Sequence, residues 1–251
     1  MLPDPERWLP PPANISWGPS HLHLWSFGLD QAKPITAGLE TLLSASEKAT
    51  AHRLRVERDR RRYIVAHGRL RQILSRYTAT APEHLTFSHG AHGKPFLSKE
   101  HVDNSVHFNL SRSQAMGLCA VAYGQEVGAD VECVRPFDGM ETLVNRFFSP
   151  LEQADWLHIE ESRRLEAFYR YWTCKEAFVK ARGEGLSLPL NQFDVAFPDN
   201  APPRLVRVPG DPAEAAGWFV QTHILAPGYR AAVVLPGLHW QVDCWRWLES
   251  D

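Results

Sequence analysis

The chain has 251 residues, of which 44% are hydrophobic and 22% charged, and its formal net charge is −2. That mix belongs to a folded globular protein with room for one large domain or two smaller ones, and it excludes a disordered chain. No apolar run reaches the roughly 18 residues that a bilayer-spanning helix needs, and the slight net acidity argues against general nucleic-acid binding.

Residues 1–20 are proline-rich and read as an extended lead-in; MLPDPERWLPPP lacks the basic start and apolar core of a secretory signal. His21 to Phe27 (HLHLWSF) alternates with the period of a strand. Ser44-Ala45-Ser46-Glu47 offers a capping box, after which one or two helices run from Glu47 to Arg76 and end near Tyr77–Pro82. Residues 83–107 read as loops with a short strand. Ser105–Leu110 and Ala115–Tyr123 read as strands joined by a polar turn, Ser111–Gln114, and Val127–Val134 as another strand.

The plan then repeats. Ser149-Pro150-Leu151-Glu152 is a second capping pattern, helices run to about Arg182, and strands fill the C-terminal third. Tyr229–Leu235 (YRAAVVL) echoes the small-residue strand Ala115–Ala122 (AMGLCAVA). A duplicated α+β unit, split into 1–125 and 126–251, and a generic alternation of helices and strands fit these residues equally well. Cys119, Cys133, Cys174 and Cys244 are scattered, with no CxxC pair; this speaks against a zinc site or disulfide framework and for a reduced, cytoplasmic setting.

The first chemical signal is Val127-Gly128-Ala129-Asp130-Val131-Glu132-Cys133-Val134. In a strand, Asp130 and Glu132 share one face about 7 Å apart, while Val127, Ala129, Val131 and Cys133 share the other. Two carboxylates so placed repel unless a cation lies between them, and oxygen-rich clusters suit Mg²⁺; an exposed polar edge is the bland alternative. Downstream, Leu165, Phe168, Tyr169, Trp172 and Val179 form one helical stripe with Glu176 in its middle. A carboxylate there needs a partner, either a metal or a helical salt bridge to Lys180. In the first half, Lys48 and nine arginines between Glu47 and Arg76 outnumber three acids, and Lys94 follows in His92-Gly93-Lys94-Pro95. A solvated helix face explains such a charge run, and so does an anion site. A basic half and an acidic half together suit a substrate with several phosphates. A P-loop kinase is disfavoured, since no GxxxxGK[ST] occurs.

The chain resembles the 4′-phosphopantetheinyl transferases of the longer single-chain type that activates surfactin and other peptide synthetases. The matching segments are His92–Pro95, Phe108-Asn109-Leu110-Ser111-Arg112-Ser113, Val127–Glu132, Arg146-Phe147-Phe148-Ser149, Tyr171-Trp172-Thr173-Cys174-Lys175-Glu176-Ala177-Phe178-Val179-Lys180 and Gly183-Glu184-Gly185-Leu186. The resemblance implies an α+β fold of two similar halves related by a pseudo-twofold and clasping coenzyme A. It implies Mg²⁺, with Mn²⁺ as an alternative, on Asp130, Glu132 and Glu176, and catalytic roles for Glu176, Lys180 and Glu132. It places Lys48, Arg53, Arg69, Lys94, Ser111, Arg112, Lys175 and Lys180 on coenzyme A. An apo acyl or peptidyl carrier protein of fatty acid, polyketide or peptide synthesis is the implied partner, and a monomer suffices. Arg112 stands where the family usually has histidine, and Ala129 where it has isoleucine or valine.

Overall fold

The computed structural model describes residues 8–101, 105–199, 201–210 and 212–248, and in it one plan runs twice along the chain. The first run is β1 (His21–Gly28), α1 (Lys33–Thr41), α2 (Ala45–Arg53), α3 (Glu57–Ser75), a hairpin of β2 (Phe87–His89) and β3 (Pro95–Leu97), then β4 (Val106–Ser113) and β5 (Met116–Tyr123). The second is β6 (Gly128–Cys133), α4 (Met140–Phe147), α5 (Pro150–His158), α6 (Glu161–Arg182), a hairpin of β7 (Asp194–Ala196) and β8 (Arg204–Arg207), then β9 (Trp218–His223) and β10 (Tyr229–Pro236). β11 (Gln241–Arg246) follows.

The sheets repeat the plan too. The first is ordered β11-β1-β5-β4 and the second β6-β10-β9, so in each half the opening strand pairs antiparallel with the closing one. This resolves the ambiguity left by the sequence: the protein is α+β, built from two halves of one topology. β11 crosses over and lies parallel to β1, which carries residues from the second half of the sequence into the first half's sheet.

Local chemistry explains the helix starts. Ser44 Oγ accepts from Glu47 N at 3.3 Å, and Glu47 Oε2 accepts from Ser44 N at 2.8 Å; Ser149 and Glu152 repeat the exchange at 3.2 and 2.8 Å. Each box satisfies two amides that a helix start leaves unpaired. The same two glutamates meet a buried cation of the long helix, Arg71 at 2.7 Å and Lys175 at 2.6 Å.

Alternation along the strands builds the layers. Leu22 and Leu24 of β1 and Ala120 of β5 pack against Ala129 and Val131 of β6 and Val233 of β10, so the two sheets meet face to face. Trp25, Phe27 and Val121, on the opposite side, join α3 in one core, while Ala232 and Val234 join α6 in another.

β6 is completed on its outer edge by side chains of β4. Asn109 Oδ1 accepts from Ala129 N at 2.9 Å, Ser111 Oγ from Val131 N at 3.3 Å and Ser113 Oγ from Cys133 N at 3.1 Å. This explains a departure from the expected turn at Ser111–Gln114. Ser111, Arg112 and Ser113 continue β4, because alternate residues must keep facing β6. The turn is only Gln114–Ala115, with Gln114 left-handed at φ 49°. Of the expected lead-in, residues 1–7 lie outside the described residues; Leu9 bridges to Trp245 of β11. No helix among the described residues is long and apolar enough to cross a membrane.

Candidate active site

α6 lies so close on β6 that a Cβ at Gly128 would collide with the backbone of Ala177 and Ala181. Glycine there lets the helix settle onto the strand, and the acidic face of β6 then sits beneath Glu176 and Lys180. Lys180 Nζ reaches Asp130 Oδ1 at 2.6 Å and Ser111 Oγ and Ala129 O at 3.3 Å. Lys180 is therefore spent on Asp130, and the helical Glu176–Lys180 pair considered from sequence is not the contact it makes. Asp130 is 4% exposed; Ser111 Oγ donates to its Oδ1 at 2.9 Å, while its Oδ2 is buried with no hydrogen-bond partner. Glu132 Oε2 accepts from Ser113 Oγ at 2.6 Å.

Electrostatics tie the three acids together. Burial raises the carboxyl pKa of Glu176, and the charge of Asp130 adds to it. Burial likewise raises Glu132, with the charges of Asp130 and Glu176 pushing the same way. Among the described residues no three His, Cys, Asp or Glu side chains are gathered tightly enough to hold a metal ion as they stand. The orphaned Oδ2 of Asp130 and the mutual repulsion of three acids nonetheless make a donor set that fits a hard divalent cation.

Beside this cluster opens a cleft of about 310 Å³, walled by His92, Gly93, Lys94 and Pro95 from the first half and by Glu176, Val179, Lys180, Gly183 and Gly185 from the second. Gly183, left-handed at φ 66°, ends α6 and turns the chain along the cleft. The cleft thus joins two motifs some eighty positions apart in sequence.

Two family models cover most of the chain: one described as the 4′-phosphopantetheinyl transferase superfamily over residues 126–234, the other as the N-terminal part of a 4′-phosphopantetheinyl transferase over residues 33–123. The 4′-phosphopantetheinyl transferase HetI of Nostoc sp. is 34% identical over 240 residues, covering 96% of this chain and 98% of HetI. The chain belongs to the 4′-phosphopantetheinyl transferase superfamily. The transferase Sfp of Bacillus subtilis is 28% identical over 193 residues, covering 77% of this chain and 82% of Sfp. The Thermotoga maritima holo-[acyl-carrier-protein] synthase structure overlaps 45% of this chain and 64% of its own at 25% identity, with a TM-score of 0.38.

Within this transferase the expected site residues do not all converge. Lys175 is a correction: it is fully buried, with Nζ 2.7 and 2.6 Å from the Glu152 oxygens and 2.9 Å from Phe193 O, so no ligand reaches it. Arg69 is another, 4% exposed with its guanidinium 5.0 Å from the Trp247 ring, away from the cleft walls. Ser111 is 6% exposed and gives its proton to Asp130, orienting that acid. Arg112, on the opposite face of β4, is exposed over Tyr63 at 5.5 Å, and Arg53 is exposed and donates to Thr50 at 3.0 Å. Lys48 is half-buried on α2, and none of Lys48, Arg53 and Arg112 lines the cleft. Sequence reading missed Glu126, which meets Lys94 Nζ at 2.5 Å; as one acid beside a turn it carries no periodic signal.

Proposed function

We propose that the enzyme transfers the 4′-phosphopantetheine arm of coenzyme A to a serine of an apo acyl or peptidyl carrier protein, releasing 3′,5′-ADP. The carrying observation is the cleft itself, where the Lys94 loop faces Glu176 and Lys180, with Lys180 reaching down to the buried Asp130. Asp130, Glu132 and Glu176 would hold Mg²⁺, or Mn²⁺ in its place. An ion held there would supply charge neutralisation on the pyrophosphate linkage as 3′,5′-ADP leaves.

The chain's own residues do the rest. Lys180 exchanges Asp130 for the phosphate of the leaving group, since its side chain lines the cleft and is 29% exposed while that of Asp130 is 5% exposed. Lys94 receives the 3′-phosphate, Arg53 and Arg112 supply a positive approach around Tyr63, and Lys48 on α2 adds to the positive charge of this half. Glu176 takes the proton of the attacking serine hydroxyl, directly or through a water. Glu132 is the second choice for that role. The active cleft is complete within one chain, which supports a monomer, and both substrates point to the cytoplasm as the place of work.

Incubation with coenzyme A, Mg²⁺ and a panel of apo carriers, followed by intact-mass measurement, tests the reading. At least one carrier should gain a phosphopantetheine; failure of every acyl and peptidyl carrier refutes it. Glu176→Gln keeps size while removing charge, so single-turnover transfer should fall by ~10²–10⁴-fold while the metal-free melting temperature hardly moves. A destabilised but fully active variant would mean that Glu176 is only structural.

A further inference from the structure

Glu126 precedes β6 on the crossing between the two halves, and the mechanism above gives it no part. Its Oε2 lies 2.5 Å from Lys94 Nζ and its Oε1 3.0 Å from His107 Nδ1 on β4. Lys94 Nζ also donates to Val127 O at 2.9 Å. An ammonium has three N–H groups, so two of the three on Lys94 are taken. The cation facing the cleft is thus balanced by an anion in contact with it. Hydrogen bonds from His107 and Lys94 hold the Glu126 carboxyl down to about 2, which keeps it ionised wherever the enzyme works.

We propose that Glu126 is an internal competitor for Lys94: its carboxylate holds the lysine in the free enzyme, and coenzyme A or 3′,5′-ADP must displace or crowd it, so that Glu126 sets how readily both ligands leave. The proposal rests on the reading of Lys94 as the 3′-phosphate ligand. A phosphate at Lys94 meets a carboxylate at the same nitrogen, and two anions sharing one cation repel each other. The Glu126 side chain is 51% exposed, which gives it room to swing aside. Restraint at this point has a kinetic use. Substrate and leaving product carry the same 3′-phosphate, so tighter binding through that group is uniform binding, which slows release without speeding chemistry.

Glu126→Gln keeps the size of the side chain and one acceptor oxygen for Lys94 while removing the charge. In calorimetric titrations of the intact enzyme, the variant should bind coenzyme A and 3′,5′-ADP about tenfold more tightly, the change expected for about 1.4 kcal/mol of relieved repulsion. Dephospho-coenzyme A should change by less than about twofold, and in a Lys94→Ala background the substitution should have no effect, the mark of direct coupling. KM should fall without a rise in kcat. A purely structural clamp predicts the opposite sign, with weaker coenzyme A binding and a lower melting temperature. Unchanged or weakened binding overturns the proposal, and so does equal tightening for coenzyme A and dephospho-coenzyme A. If the wild type binds neither coenzyme A nor 3′,5′-ADP, the functional reading itself falls and this inference with it; that result is distinct from equal binding by wild type and variant.

Discussion

In the first half, Arg76 at the C-cap of α3 lies over the ring of Trp25 on β1, 5.2 Å from its centroid; in the second, α6 sends Lys180 to Asp130 on β6 at 2.6 Å. These are equivalent places. The shift that lays Ser44 on Ser149 and Glu47 on Glu152 also lays Leu22 and Leu24 on Val127 and Ala129, Trp25 on Asp130, and Phe27 on Glu132. Matching the buried cations Arg71 and Lys175 sets Gln72 against Glu176 and Arg76 against Lys180. Each half even has a cavity beside its long helix, one lined by Gln72, Ser75, Arg76 and Trp247, the other by Glu176, Val179 and Lys180. The scaffold thus fixes a strand face under a helix with a cation reaching down. Two strand side chains then decide whether that place packs with aromatics or gathers acids.

The sharpest way to break the comparison is to exchange the failures. Asp130→Ala should lose at least ~10³-fold in transfer with its fold intact, as removal of a charge-stabilising group at a phosphoryl-transfer site does. Trp25→Ala should instead lose about 3–5 kcal/mol of stability, since the ring is fully buried, with turnover per folded molecule retained. Urea unfolding beside active-fraction kinetics measures both; an inactive but well-folded Trp25→Ala enzyme would show that the first half takes part in chemistry.

Next in size are the two buried ion pairs. Removing Glu152 strands a fully buried lysine and should cost about 3–5 kcal/mol. Removing Glu47, whose side chain is 13% exposed and whose partner Arg71 also donates to Pro82 O and Leu85 O, should cost less. A larger loss for Glu47→Ala would reverse the ranking of the two pairs.

Much of this was readable because it is local. The capping boxes, the strand of Asp130 and Glu132 and the stripe around Glu176 are set by neighbours in sequence, and so is the YRAAVVL–AMGLCAVA echo that became the two central strands. What escaped is set by distant partners. Lys175 beside Glu176 looks like a ligand until Glu152 is seen folded against it. Ser111 and Ser113 look like turn residues until β6 supplies the amides they accept. Arg69 reads as part of a basic run until Trp247 covers it, and α1 is too short to announce itself.

The smallest expected difference is in acid sensitivity. His23 of β1 is fully buried beside Tyr77, Nδ1 to hydroxyl 2.9 Å, and burial, with the charge of His21, lowers its pKa from 6.5 to about 3. The unfolded chain therefore binds the proton that the folded one refuses. Stability is fully present above pH about 6.5 and is lost as pH falls, by at most about 1.4 kcal/mol per unit. Glu132 and Glu176 have raised carboxyls, so their effect has the opposite sign: it favours the folded state below their unfolded pKa and fades as pH rises. Unfolding free energies at pH 7.5 and 5.5 should drop in the wild type and drop less in His23→Gln; parallel drops would remove His23 from the account.

Because β1 ends at Gly28 and its neighbour β11 begins only at Gln241, the ribosome delivers these two strands far apart in time. At roughly 5–20 residues per second, about ten to forty seconds separate the end of β1 from the start of β11. Through that interval one edge of β1, a strand carrying Leu22, Leu24, Trp25 and Phe27, has no covering strand. An open apolar edge is a template for pairing with another nascent chain. Residues 241–246 close that edge and end the exposure.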